Sequence, residues 1–558
     1  MTDHDLAHDV FRRPMRLQDV DVVDGKERLY AAILRAPTSR GRILEFELPK
    51  DLSARGIHFL AARHLSGGNE LPGDRPLLAD KAIRYRHEPV GLIAGACKNE
   101  VALAREAISV KVQSRIPVES ISDALNGRNI IHGEDNVYVS FEHGANEDRS
   151  SDREGLEVFE ATYSIAHRVR LALETRSALA ESDGDKVVVH SSDGCSRQLG
   201  EGIAKALGVD ASLVRHVPLR QGQGFCSYDD TLPILASAGA LSRAFKKPIK
   251  LILDRDEELL SSPKSPPSEV QVRAEYDQQG RIHSLRIDAA FDAGAYLLCA
   301  EDLKELEQEP APGPYDGLIT GLRVRLFATN TAPNAEAHFG QSALQFALER
   351  SLDQIAARLH MAPATLRRAN FSSAWSAFDP CALEMLARGD DSSLYQLDPL
   401  DEEPGRGSAM AYGWRGPECL VASRVVCRLD PLTDAPRIES LTVLIPEGSE
   451  LSRAEAAAAK AVARAFFQEL HLSYGAIVNV RIGQLCAPGA ADIPAVEVLT
   501  VPRSQPVAQA DLLFAIESAV TSALISALGH TLGVELCALP VPPREVGFQR
   551  GKKKRARK

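Results

Sequence analysis

The chain has 558 residues, 44% of them hydrophobic and 25% charged, with a formal charge of −11 and nine cysteines. At about 150 residues per domain this length divides into three or four cores, and the composition is that of an ordinary globular protein. The acidic balance repels a phosphate backbone and argues against nucleic-acid binding by the body of the chain. The cysteines form no C-x-x-C pair, which argues against zinc, iron–sulfur and disulfide frameworks.

The N-terminus, MTDHDLAHDVFRR, is charged and has no hydrophobic signal core. No apolar run is read as approaching the length of a membrane span, so a cytoplasmic location is expected. From about residue 13 to 125, LYAAILRAP, RILEFELP, IHFLAARHL and IRYRHEPVGLIAGAC alternate as strands, and EVALAREAISVKVQ reads as a helix feeding a strand. Residues 126–155, with HGANEDRSSDREG, are polar enough to read as a linker. From 156 to 371 the pattern is again α/β: GEGIAKALGV reads as a helix and KPIKLILDR as a buried strand. It weakens over 372–439, around LDPLDEEPGRGS. It returns over 440–546 with the helix SRAEAAAAKAVARAFFQEL, the segment AADIPAVEVL and the helix DLLFAIESAVTSALISALG. Residues 547–558 read as a basic, disordered tail, expected to bind RNA or acidic surfaces only weakly.

The most informative stretch is Asn330–Asn370, NTAPNAEAHFGQSALQFALERSLDQIAARLHMAPATLRRAN. A loop punctuated by Pro and Asn reaches Phe339-Gly340 and runs into an amphipathic helix. Leu344, Leu348, Leu352, Ile355 and Leu359 recur on it at helical spacing, with Glu349 and Asp353 at i,i+4. The stretch closely resembles the loop and helix that cover the cofactor in the large subunit of molybdenum hydroxylases, the xanthine dehydrogenase and aldehyde oxidase family. There the loop reads A-x-R-G-F-G-x-P-Q. Further landmarks fall in the family's order: Leu173-Glu174-Thr175, Gly222–Asp230, Lys247–Asp256, Asp292–Tyr296 and Gly313-Pro314-Tyr315.

The resemblance covers roughly 13–371 and 440–546 and implies an α/β, multidomain α+β fold. A hammerhead-type domain would occupy 13–125 and a first molybdopterin-binding-like domain 156–371. After the weakly patterned connection 372–439, a remnant of the second such domain would occupy 440–546. That second domain is truncated in this reading, because its expected Gly-Gln-Gly loop is not found.

The resemblance also implies a chemistry. In the family a metal-bound hydroxide attacks an electron-poor carbon of a heteroaromatic ring or an aldehyde while a glutamate accepts the proton. Electrons then leave through iron–sulfur and flavin groups. The protein supplies a base, donors for developing negative charge, and backbone amides for the cofactor. Carried over by position, the cofactor-binding residues are Gly222, Gly224, Phe225 and Gly340. The substrate-pocket residues are Phe339, Asp229, Lys264 and Glu174, and no side chain of the chain is expected to ligate the metal.

The departures fall on the reactive positions. Ser504-Gln505-Pro506 stands where the family has Gly-Glu-Pro, so Gln505 occupies the general-base position. An amide is not a base near neutral pH, and such terms contribute about 10²–10⁴-fold. Glu497, in the preceding strand, reads as structural. Cys226, Ser227 and Tyr228 replace glycines and a lysine of the glycine-rich loop. Ala337 replaces an arginine, Asp193 a glutamine and Arg170 a histidine. Two readings follow. One is an oxidoreductase subunit holding molybdopterin, with iron–sulfur and FAD groups carried on partner subunits. The other is a non-catalytic scaffold, assembly or pairing subunit of the same fold, holding no cofactor and associating with a catalytically complete paralogue.

Overall fold

A computed structural model describes residues 27–132, 134–144, 155–168, 175–192, 196–219, 228–298, 307, 313–334, 338–372, 405–416, 419–433, 435–467, 470–479, 492–502 and 507–541. The elements that matter here, in chain order, begin with β1 (Leu29–Arg35), β2 (Gly41–Glu47), β3 (His58–Ala61), β4 (Pro89–Gly95), α1 (Lys98–Ala107) and β5 (Ser109–Ser114). They continue with β6 (Val137–His143), β7 (Glu157–Ile165), β8 (Ser177–Asp183), β9 (Lys186–Ser191), α2 (Ser196–Leu207), β10 (Val214–Pro218), α3 (Tyr228–Phe245), β11 (Ile249–Ile252) and α4 (Arg255–Ser261). Next come β12 (Ser268–Tyr276), β13 (Ile282–Gly294), β14 (Ile319–Ala328), α5 (Phe339–Arg358) and α6 (Pro363–Asn370). The last are β15 (Arg406–Trp414), β16 (Leu420–Leu429), β17 (Pro436–Pro446), α7 (Leu451–Phe466), β18 (Val496–Val501), α8 (Gln509–Leu532) and β19 (Ala538–Leu539).

Three larger sheets organise most of these elements, while β2 and β5 pair in a small separate sheet. A seven-stranded sheet runs β10-β9-β8-β11-β1-β4-β3, a six-stranded sheet β19-β7-β12-β13-β14-β6, and a four-stranded sheet β15-β16-β17-β18. The first sheet crosses the boundary expected between the hammerhead-type and molybdopterin-binding-type segments. β1 pairs in parallel with β11, Leu29 opposite Ile249 and Ala31 opposite Leu251. One core accordingly holds Leu29 and Ile33 together with Ile203, Leu235 and Leu251. The backbones also meet: a Cβ on Gly67 would lie 2.1 Å from the Leu207 carbonyl at the end of α2, so only glycine permits that approach.

Two readings of the sequence change. Residues 126–155 are not linker throughout, because β6 closes one edge of the six-stranded sheet against β14, Leu326 opposite Val139. Its alternation was masked by the charged run that follows it. Residues 372–439 are not only a connection either. They contain β15 and β16, and Val421, Ala422 and Val425 sit in the largest core.

Among the described residues one helix, α8, is long and apolar enough to cross a membrane, contrary to the expectation of no such run; 83% of its apolar window is buried inside the protein. Ala515, Ala519, Ala523 and Ala527 repeat at i,i+4 and are fully buried. Small residues let the helix lie on β15, where a Cβ on Gly413 would stand 2.0 Å from the Ala515 carbonyl. α8 ends at Gly533, in the left-handed conformation with φ 62°, as a helix C-terminus favours.

The helix α5 forms where the apolar spacing places it, but its polar face is buried as well. Arg367 of α6 lies 2.7 Å from both Glu349 and Asp353, and all three are shielded from solvent. Tyr315 donates to Glu349 at 3.0 Å and the Tyr412 N–H does so at 3.0 Å, so the carboxylate's oxygens are satisfied. Pro363 at the first turn and the Asn370 side chain, which donates to the Gly280 carbonyl, fix α6 in place.

Candidate functional site: the seam between two sheets

Two of the chain's crossings between the six- and seven-stranded sheets, one after β7 and one after α4, lie side by side. The two crossings pair: Arg168 bridges Ser265, whose N–H donates to the Arg168 carbonyl at 3.2 Å. The next residue along, Lys264, bridges Asn334 in parallel, and Asn334 is tied to β13 by its N–H to the Ala293 carbonyl at 3.0 Å. Leu470, from the last unit, donates to the His167 carbonyl at 3.1 Å. One seam therefore gathers the segment that leads to Glu174, the segment that bears Lys264, and the segment that leads to Phe339 and Gly340.

The side chains along the seam are buried and polar. Lys264 turns back on its own segment, donating to the carbonyl and, at 3.1 Å, to the hydroxyl of Ser262. Asp292 accepts from the Gly294 N–H and the Thr329 hydroxyl, both at 2.7 Å. Burial outweighs those hydrogen bonds and pushes the Asp292 carboxyl up to about 7. His167 Nε2 stands 3.7 Å from Asp292 Oδ2, beyond hydrogen-bond reach, and neither ring nitrogen has a hydrogen-bond partner among the described residues. Burial, reinforced by the Lys264 charge, pushes His167 down to about 3, so the imidazole is neutral.

Two features of the seam suit a polar, anionic cofactor. Asn334 donates through Nδ2 to the Asp292 carbonyl at 2.8 Å, while its Oδ1 is buried and accepts nothing among the described residues. That oxygen is an acceptor without a donor, a state that buried polar atoms rarely keep. Four residues on, His338 at φ 58° starts α5 without a side-chain cap, and no acidic residue lies in the first turn. The uncapped end offers backbone N–H groups to an anion.

Gly222, Gly224, Phe225, Glu174 and Gln505 lie outside the described residues, as do Arg170, Asp193, Cys226, Ser227 and Ala337. Asp229 is in the first turn of α3, and Phe339 and Gly340 open α5; only the backbones of Asp229 and Phe339 are described. Tyr228 starts α3 and its hydroxyl lies 2.3 Å from where a Cβ on Gly202 of α2 would be, so the ring is spent on packing α3 against α2. Glu497 sits on β18 and accepts from the Thr442 hydroxyl at 3.0 Å on an exposed sheet face. The buried carboxylates around the seam are engaged: Glu258 with Arg176 at 3.0 Å, Glu349 with Arg367, and Asp292 as above. Sequence reasoning missed the His167–Asp292 approach. The D-A-G-A-Y landmark at 292–296 was its only signal, and nothing local points from it to His167.

The comparisons with known proteins agree with this architecture. Residues 131–371 match the family model of the molybdopterin cofactor-binding domain. A probable xanthine dehydrogenase subunit from Bacillus subtilis is 24% identical over 395 residues, 67% of this chain and 51% of that protein. The nicotinate dehydrogenase large molybdopterin subunit of Eubacterium barkeri is 23% identical over 354 residues, 62% of this chain and 82% of that one. The chain thus spans about half the length of the first of these relatives. Among solved structures, quinoline 2-oxidoreductase from Pseudomonas putida 86 superposes with a TM-score of 0.84 at 14% identity, covering 99% of this chain and 97% of that one.

Proposed function

We propose that this chain, a shortened and divergent member of the xanthine dehydrogenase and aldehyde oxidase family of molybdopterin-binding large subunits, is the molybdopterin-holding subunit of a hydroxylase complex. Its substrate would be a heteroaromatic ring or an aldehyde, and partner subunits with iron–sulfur and FAD groups would take the electrons. The observation that supports this most is the seam itself, where Lys264, the approach to Glu174 and the start of α5 meet beside an orphaned acceptor and an uncapped helix end. When bound, the cofactor supplies the oxygen transfer and accepts the electron pair. This chain's residues would hold and orient it: first-turn amides of α5 facing its anionic groups, Asn334 Oδ1 accepting from an N–H, and Gly340 leaving the backbone open.

A second reading, a non-catalytic scaffold or pairing subunit, is favoured by a separate observation. Each carboxylate described around the seam already serves a structural partner, and Gln505 stands at the family's base position. The experiment that separates the two readings is molybdenum and pterin analysis of the chain purified with its partner subunits. Near-stoichiometric cofactor supports the enzyme reading, and a folded complex without it supports the scaffold.

A further inference from the structure

A small cavity of about 30 Å³ lies where the N-terminal unit meets the sheet behind the seam. Arg35, Arg75 and Tyr85 line it from one side, and Arg176 and Ser261 from the other. No carboxylate is among its lining residues that the structure describes. Arg75 and Arg176 are buried, at 6% and 5% exposure. Glu258 answers Arg176 from behind, at 3.0 Å from Nε. The carboxylate nearest Arg35 in charge, Glu257, is held by Arg105 at 2.7 Å.

Arg35 is the telling residue. Its Nη1 donates to the His87 carbonyl at 3.2 Å, while Nε and Nη2 are buried and donate to nothing among the described residues. A guanidinium fork presenting two adjacent N–H groups is the shape that grips an oxyanion in bidentate fashion. Burying the Arg35 guanidinium with two N–H groups unmatched among the described residues is costly, and an anion in the cavity would offset that cost. The volume exceeds the roughly 10–15 Å³ that a single water requires.

We propose that this cavity is a binding site for one small oxyanion, gripped by the Arg35 fork and flanked by Arg75 and Arg176. The occupant is either an inorganic anion such as phosphate or the carboxylate of an organic acid; both present the same paired oxygens. Pro263, which precedes Lys264 in the chain, also lines the cavity, so the site adjoins the seam. It does not depend on a cofactor being bound there.

The test is thermal unfolding and calorimetric titration of the full chain with phosphate, sulfate or acetate, against chloride at equal ionic strength. The expected result is a saturable rise in melting temperature with at least one oxyanion and not with chloride. Phosphate and sulfate acting without acetate identify an inorganic occupant, and acetate acting alone identifies a carboxylate. Arg35→Gln weakens that binding by at least about tenfold, and Arg35→Lys, which keeps the charge and loses the fork, weakens it less. If Arg35→Gln does not fold, the wild-type titration and Arg35→Lys still decide the matter. The proposal is overturned if no oxyanion acts differently from chloride, or if Arg35→Gln binds as wild type does. It is also overturned if binding appears only in Glu174→Gln, since the chain's own carboxylate would then be the occupant.

Discussion

Lys264 and Asn334 pair as parallel backbone neighbours, and that bridge fixes the geometry of the seam. Asn334 then ties the pair to β13 twice, through its N–H and through its Nδ2. Replacing Asn334 with alanine removes a buried hydrogen bond to the Asp292 carbonyl, which should cost about 1–3 kcal/mol. Chemical denaturation reads this directly. An unchanged midpoint would mean that the amide is not part of what holds the seam.

Arg367 neutralises two carboxylates in a fully buried site. Arg367→Met leaves Glu349 without its cation and Asp353 with only Arg350, 3.8 Å away, and breaking such a buried network costs about 3–5 kcal/mol. The expected outcome is a large fall in the denaturation midpoint. Converting Glu349 and Asp353 to their amides in the same chain should return part of the loss, because the uncompensated charge is then gone.

Gly413 is where α8 and β15 come closest. A Cβ there overlaps backbone rather than a flexible side chain, so Gly413→Ala cannot be absorbed by a rotamer change. Overpacking of this kind costs about 1–3 kcal/mol, and the upper end is expected here. Gly416→Ala, with no atom within 4 Å of the new Cβ but with φ 61°, separates backbone strain from collision and should cost less.

Glu88 links the N-terminal unit to the next. Its oxygens accept from the Tyr296 hydroxyl at 2.6 Å and the Arg84 N–H at 2.7 Å. Burial outweighs these and pushes its carboxyl up to about 7 from the usual carboxylate range. The folded state therefore keeps this proton to a higher pH than the unfolded chain does. The contribution to stability is present below about 4.5 and is lost as pH rises towards 7. Glu88→Gln carries no such loss, so the variant should gain on wild type between pH 5 and pH 8. Urea midpoints at the two pH values measure this, and an equal gap at both would contradict it.

Much of this was readable from local pattern. The helices α5, α7 and α8 and the strands β1, β2 and β11 lie where spacing and composition place them, because each presents a core face regular enough to read from neighbours alone. What was not readable depends on partners distant in the chain. The polar side of α5 looks solvent-facing until Arg367 and Ser526 arrive to bury it. β6 alternates properly, but the charged residues after it mimic a linker. The seam shows the same limit: its parts come from residues near 167, 264, 292 and 334, and only pairing of the sheets brings them together. The arginine cavity had no motif at all, since its lining residues are scattered across two units.

In the reading proposed here, a hydroxylase-type subunit retains the cofactor's berth while an amide stands at the proton-acceptor position. The most direct measurement is cofactor content together with turnover, for the wild-type complex and for Gln505→Glu. Molybdenum and pterin near one per chain are expected in both, with a rate on a heteroaromatic or aldehyde substrate that rises by about 10²–10⁴-fold when the carboxylate is restored. A well-folded complex containing neither metal nor pterin would contradict this reading, as would a wild-type rate that Gln505→Glu leaves unchanged.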